Sequence, residues 1–110
     1  MSVWYRVGSS DERPDRTGFA HLFEHLFKNS EHMPAHHYDV LRRAGASDAN
    51  ASTSPDRTAY HEVVPANELA LALWLESDRM GYFLPGLTPE RIAMQQSVVR
   101  AERRTRYEIV

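Results

Sequence analysis

The spacing of apolar positions changes several times along the chain, and each change marks an element. Residues 2–8 alternate loosely, with Val3, Tyr5 and Val7 in step, and predict a strand. The stretch from Gly8 to Thr17 is polar, contains Pro14 and reads as a loop. In 18–29, GFAHLFEHLFKN, Phe19, Leu22, Phe23, Leu26 and Phe27 recur at helical spacing. Ser30 to Pro34 breaks that helix. A second helix is expected over 35–44, with Tyr38 and Leu41 inward and Gly45 as its stop. A small, polar stretch then leads to Thr58–Val64, which is strand-like, and the Ser54–Pro55–Asp56 turn would join two strands. Residues 66–83 form the strongest helical segment, with Asn67 as its cap. Leu69, Leu73, Met80 and Leu84 fall near one face, Leu71, Trp74 and Leu75 widen it, and the helix is expected to be well buried. Thr88 caps a last helix, with Pro89 at its first position and Glu90 in its first turn, running to about residue 108. The order strand, helix, helix, strand pair, helix, helix predicts an α+β fold, an antiparallel sheet packed with helices. No internal repeat, low-complexity tract or linker interrupts it.

Bulk composition narrows the function classes. The chain has 110 residues, enough for one small domain. A formal net charge of −2 supplies no attraction to nucleic acid or an anionic membrane. Cys is absent, which excludes disulfides, thiolate metal ligands and a Cys nucleophile. No apolar run approaches the ~20 residues of a membrane span, and Met1–Arg6 lacks the layout of a signal peptide. The chain starts at once on strand-like residues and runs through a helical pattern into Ile109–Val110 without a cap. The expectation from both ends is a piece of a longer domain.

The chemistry lies in His21-Leu22-Phe23-Glu24-His25. A helix turns about 100° per residue, so His21 and His25 stand roughly 40° apart on one face. Two imidazoles one turn apart can reach a single Zn²⁺ at about 2.0–2.1 Å. Glu24 projects to the other side of His21, where it can approach a water without being forced onto the ion. This H-x-x-E-H order reverses the commoner H-E-x-x-H helix. The plainer reading is surface decoration, since six His occur in the chain and His32, His36 and His37 lie outside any motif. Against it, Leu22, Phe23, Leu26 and Phe27 make the helix apolar around the triplet, and buried His and Glu need partners. A catalytic zinc usually has three protein ligands, so an Asp, Glu or further His must come from elsewhere.

The motif, followed after 76 further residues by Glu102, resembles the pitrilysin/insulinase family of zinc metallopeptidases. The segments VWYRVGSSDERPDRTGFAHLFEHLFKNSEH, NASTSPDRTAYHEVVPANELALALWLESDRMG and VVRAERRTRYE carry the resemblance over essentially the whole chain. They look most like the bacterial two-domain members related to mitochondrial processing peptidases. The resemblance implies a zinc-dependent metalloendopeptidase acting on extended peptides or unfolded proteins. One Zn²⁺ would be held by His21, His25 and Glu102, and Glu24 would take a proton from its water. Asn50 and Ala51 match an Asn-Ala-x-Thr stretch whose edge strand pairs with substrate backbone; from residue types alone that stretch is an ordinary polar turn. On the last helix, Ile92, Gln95, Val98, Val99 and Glu102 fall near one face, and the plainer role for Glu102 is a salt bridge to a local Arg. Many family members carry a second Glu where this chain has Gln95, which can hydrogen-bond a ligand but adds no charge.

The resemblance further implies the incomplete first half of a metallopeptidase domain. The rest of that domain, and a second homologous domain or partner subunit, would complete the active enzyme. The isolated chain is then expected to be weakly active or inactive. A bacterial parent in the periplasm or cell envelope fits the relatives. Competing classes are an S-ribosylhomocysteine lyase, whose Cys ligand this chain lacks, a non-catalytic processing-peptidase-like subunit, and an inactive fragment acting at most as a binding module.

Overall fold

Three short strands make one antiparallel sheet: β1 (Ser2–Tyr5), β2 (Asp48–Thr53) and β3 (Thr58–Val63). The computed structural model describes residues 1–33 and 35–108; the expected break at Pro34 and the end at Ile109–Val110 lie outside them. Strand order is β1-β3-β2, so β3 is central and β2 is an edge. The β2–β3 hairpin turns where expected, with the Ser54 N–H donating to the Arg57 carbonyl at 2.9 Å. β1 stops earlier than the alternation implied. Past it, the Val7 N–H folds back onto the Tyr5 carbonyl at 2.9 Å, and Gly8 packs against the hairpin turn. A Cβ on Gly8 would lie 2.1 Å from the Ser54 carbonyl oxygen, so only glycine allows that approach.

Helix α1 (Phe19–Leu26) is shorter than the 18–29 pattern. It begins where Gly18 takes a left-handed φ of 86°. The Glu12 carboxylate then accepts from the Gly18 and Ala20 N–H groups at 2.6 and 3.1 Å. An acceptor anion at a helix N-terminus satisfies free donors and complements the dipole. At the other end the Arg79 guanidinium donates to the Phe27 carbonyl at 3.2 Å. Helix α2 (His37–Arg43) buries Leu41 as expected and ends at Gly45, whose φ is 99°.

Helix α3 (Leu69–Tyr82) follows a 3₁₀ turn at Ala66–Glu68, so Asn67 sits inside that turn and is not the cap. Its orientation corrects the expected one. Leu73, Met80 and the following Leu84 are 50%, 55% and 72% exposed, and Leu69 and Trp74 are exposed too. The inward face is Ala72, Leu75, Glu76, Asp78 and Arg79. Arg79 explains how charges come to be buried. It donates to Glu76 at 2.9 Å from Nε and again from Nη2, and its guanidinium lies 4.0 Å over the Tyr60 ring. A paired, stacked guanidinium can be buried where a lone charge cannot. Apolar packing gathers around Phe27, Tyr60 and Phe83, and separately around Leu41, Ala72 and Leu75.

Helix α4 (Pro89–Arg103) starts as expected, the Arg91 N–H donating to the Thr88 hydroxyl at 3.2 Å. It continues as a π-helical turn over Arg104–Glu108. Ile92, Gln95 and Val99 are half-buried, whereas Val98 and Glu102 are exposed. No helix among the described residues is long and apolar enough to cross a membrane.

Candidate metal centre

Helix α1 presents its polar triplet to a cleft of about 720 Å³. β2 lies along one side of the cleft, and the end of α4 closes another. The expectation of a buried α1 needs revision: Phe19 and Phe23 are exposed, and the buried member of the helix is Glu24, 5% exposed. The apolar side chains around the triplet therefore do not bury it uniformly; β2 covers Glu24 in particular.

Three donor atoms converge from two distant parts of the chain. His21 Nε2 and His25 Nε2 are 3.1 Å apart. Glu102 Oε2 lies 3.2 Å from the first and 3.4 Å from the second. Ligands around a tetrahedral zinc with bonds of about 2.0–2.1 Å are separated by roughly 3.3–3.4 Å. The triangle is thus the size of one face of such a shell, and all three residues line the cleft. Glu102 turns to the two imidazoles, which disfavours the plainer reading of a bond to a local Arg.

The electrostatics at His25 suit a metal ligand. Burial lowers the His25 pKa, the Lys28 ammonium lowers it further, and the Glu102 carboxylate only partly offsets them. A neutral ring offers a lone pair at Nε2, which an imidazolium does not. Two imidazole nitrogens and a carboxylate oxygen gathered at one point form a donor set that zinc fits.

Glu24 is not a corner of this triangle, although one of its carboxylate oxygens lies within 4.8 Å of a ring nitrogen of each histidine. Its Oε2 accepts a hydrogen bond from the Thr53 hydroxyl, and its Oε1 lies 4.0 Å from Lys28 Nζ. Lys28 is itself half-buried, and its pKa is lowered, chiefly by burial with the Glu24 charge opposing. Of the remaining expected residues, Asn50 and Ala51 line the cleft on edge strand β2. The Asn50 Oδ1 accepts from the Ala51 N–H at 2.8 Å. Gln95 is half-buried on α4 and does not line the cleft.

Sequence reasoning met Thr53 only as the end of the Asn-Ala-x-Thr stretch, with no link to Glu24, and missed Lys28 and Glu12. Strand parity could have found Thr53, because Ala51 and Thr53 share the inward face of β2. Helical spacing could have found Lys28, one turn after Glu24. Glu12 sits in a loop with no periodic signal.

The family model for insulinase, peptidase family M16, matches residues 1–107. The chain belongs to this family. The zinc protease PqqE of Helicobacter pylori is 34% identical over 107 residues, covering 96% of this chain and 24% of that protein. The crystal structure of a protease from Helicobacter pylori superposes with a TM-score of 0.89 at 33% identity, over 97% of this chain and 26% of that one. Pitrilysin superposes with a TM-score of 0.64 at 31% identity, over 71% of this chain and 8% of its own. The α+β architecture is therefore that of part of an M16 domain, and the chain spans about a quarter of the length of the Helicobacter relatives.

Proposed function

We propose that this chain carries the zinc site of a metalloendopeptidase, with His21, His25 and Glu102 as ligands and Glu24 as general base. One observation carries the reading: the 3.1, 3.2 and 3.4 Å triangle formed by residues far apart in sequence. The family and the zinc protease named among its relatives support it. A zinc ion held there supplies a water acidic enough to ionise near pH 7 and polarisation of the scissile carbonyl.

The side chains supply the rest. Glu24 Oε1 is the oxygen not taken by Thr53, so it receives the proton of the attacking water and returns it to the leaving amine. Burial of Glu24 limits competing solvent. β2, an edge strand that carries Asn50 and Ala51 along the cleft, is placed to take an extended peptide by strand addition, which favours substrates without folded structure. Gln95 would act only indirectly, through the α4 face that holds Glu102.

The test pairs zinc content by mass spectrometry with cleavage of an unstructured fluorogenic peptide. One zinc per chain is expected in the parent and in Glu24→Gln, and none in His21→Ala. Whatever cleavage the parent shows is expected to disappear in Glu24→Gln. Equal zinc in the parent and His21→Ala would overturn the assignment.

A further inference from the structure

The site holds two glutamates and, on the reading above, needs one as ligand and the other as base. Chemistry alone does not separate them. Glu24, His21 and His25 have donor atoms all within 4.8 Å of one another, close enough for the three to share a metal. Glu102 brings Oε2 to within 3.4 Å of the same imidazoles. A zinc ion bonds either carboxylate equally well.

The difference lies in what restrains each side chain. Glu102 is nearly half exposed, on the last turn of α4, and its carboxylate points at the two rings. Glu24 is buried, bonded through one oxygen and faced by a cation at the other. Thr53 donates to Oε2 from the end of β2, and Lys28 faces Oε1 from one turn further along α1. Neither partner is loose. Thr53 pairs with Thr58 across the hairpin, and the Ser54 N–H locks the turn beside it. Lys28 has its ammonium 5.2 Å over the Tyr38 ring. A hydroxyl donated to one oxygen, with a cation near the other, holds the carboxylate plane against rotation toward the imidazoles.

We infer that Thr53, supported by Lys28, is a positioning residue that keeps Glu24 off the metal and so divides the two glutamates into base and ligand. The inference rests on the zinc site proposed above. It differs from a purely structural role, in which the Thr53 hydroxyl merely satisfies a buried carboxylate. Loss of a merely structural contact weakens metal binding or leaves it unchanged. Release of a restrained ligand tightens it when the normal ligand is missing.

Zinc affinity of the full chain, measured by competition with a chromophoric chelator, separates the two. Glu102→Ala is expected to weaken binding by at least tenfold. Adding Thr53→Val to Glu102→Ala is expected to recover about tenfold, as the freed Glu24 becomes the third ligand, within the range that groups around a ligand shell exert. Thr53→Ser in the same background retains the hydroxyl and is expected to recover nothing. Glu24→Gln added to the Thr53→Val pair is expected to abolish the recovery. Thr53→Ala and Lys28→Met, each in the Glu102→Ala background, are companion variants that remove the same restraints by other changes, with the same expected direction. No recovery in any of the three releasing variants would overturn the inference while leaving the zinc site standing. A parent chain that binds no zinc, or binds it equally without Glu102, would overturn both.

Discussion

Replacing Glu62 by Gln should stabilise the fold in alkaline solution and do little in acid. Glu62 is 2% exposed on the central strand β3. Burial pushes its pKa up to about 7 from an ordinary 4.5, and the Glu76 charge adds to that while Arg79 opposes it. Because the folded-state value is the higher one, the favourable state is the protonated one. Its stability is fully present below pH 4.5 and is lost as pH rises through 7. Each pH unit of displacement corresponds to about 1.4 kcal/mol, so the loss reaches roughly 3 kcal/mol by pH 8. Gln keeps the shape and never ionises. Urea unfolding followed by circular dichroism, run on parent and variant at pH 4.5 and pH 8, reads the difference directly. The variant should gain about 2–3 kcal/mol over the parent at pH 8 and stay within about 1 kcal/mol of it at pH 4.5. A difference between the two proteins that does not change with pH would refute the reasoning.

His37 should show the opposite slope. Burial lowers its pKa to about 4, with Arg79 adding to the effect, so its contribution is present above pH 6.5 and is lost as pH falls through 4. In His37→Asn the parent's acid-side loss should shrink, as read by the same unfolding series. Arg79→Met leaves the Glu76 carboxylate and the Phe27 carbonyl without their donor in a buried setting. It should cost about 3–5 kcal/mol, and adding Glu76→Gln should return part of it. Thr88→Ala removes the cap of α4 and should cost about 1 kcal/mol, visible as a lower urea midpoint. Because α4 carries Glu102, the same variant should also weaken zinc binding slightly.

Local signals in the sequence carried most of the architecture. The hairpin at Ser54, the stop at Gly45 and the cap at Thr88 each depend on one residue's backbone or hydroxyl chemistry, and each falls where expected. The orientation of α3 was not legible. Periodicity counted Leu69, Leu73 and Met80 as inward, but the helix buries Glu76, Asp78 and Arg79: Glu76 pairs with Arg79 one turn along, and Arg79 and Asp78 find further partners on other elements. Asp78 accepts from the Ser30 hydroxyl and pairs with His32 at 2.7 Å. Such pairing is a tertiary fact, invisible in a window of one helix. The metal triangle divides the same way. His21, Glu24 and His25 are local, and helical spacing alone set them on one surface. Glu102 needed the resemblance, since its helix face reads equally well as a salt-bridge position. Thr53 was within reach of strand parity, yet nothing local tied β2 to Glu24.

Calorimetric titration of the metal-free chain with Zn²⁺, beside Glu102→Gln, tests the central claim most directly. The account predicts a stoichiometry of one for the parent and affinity lower by at least about tenfold for the variant. Indistinguishable titrations of the two, or no binding by the parent, would contradict it.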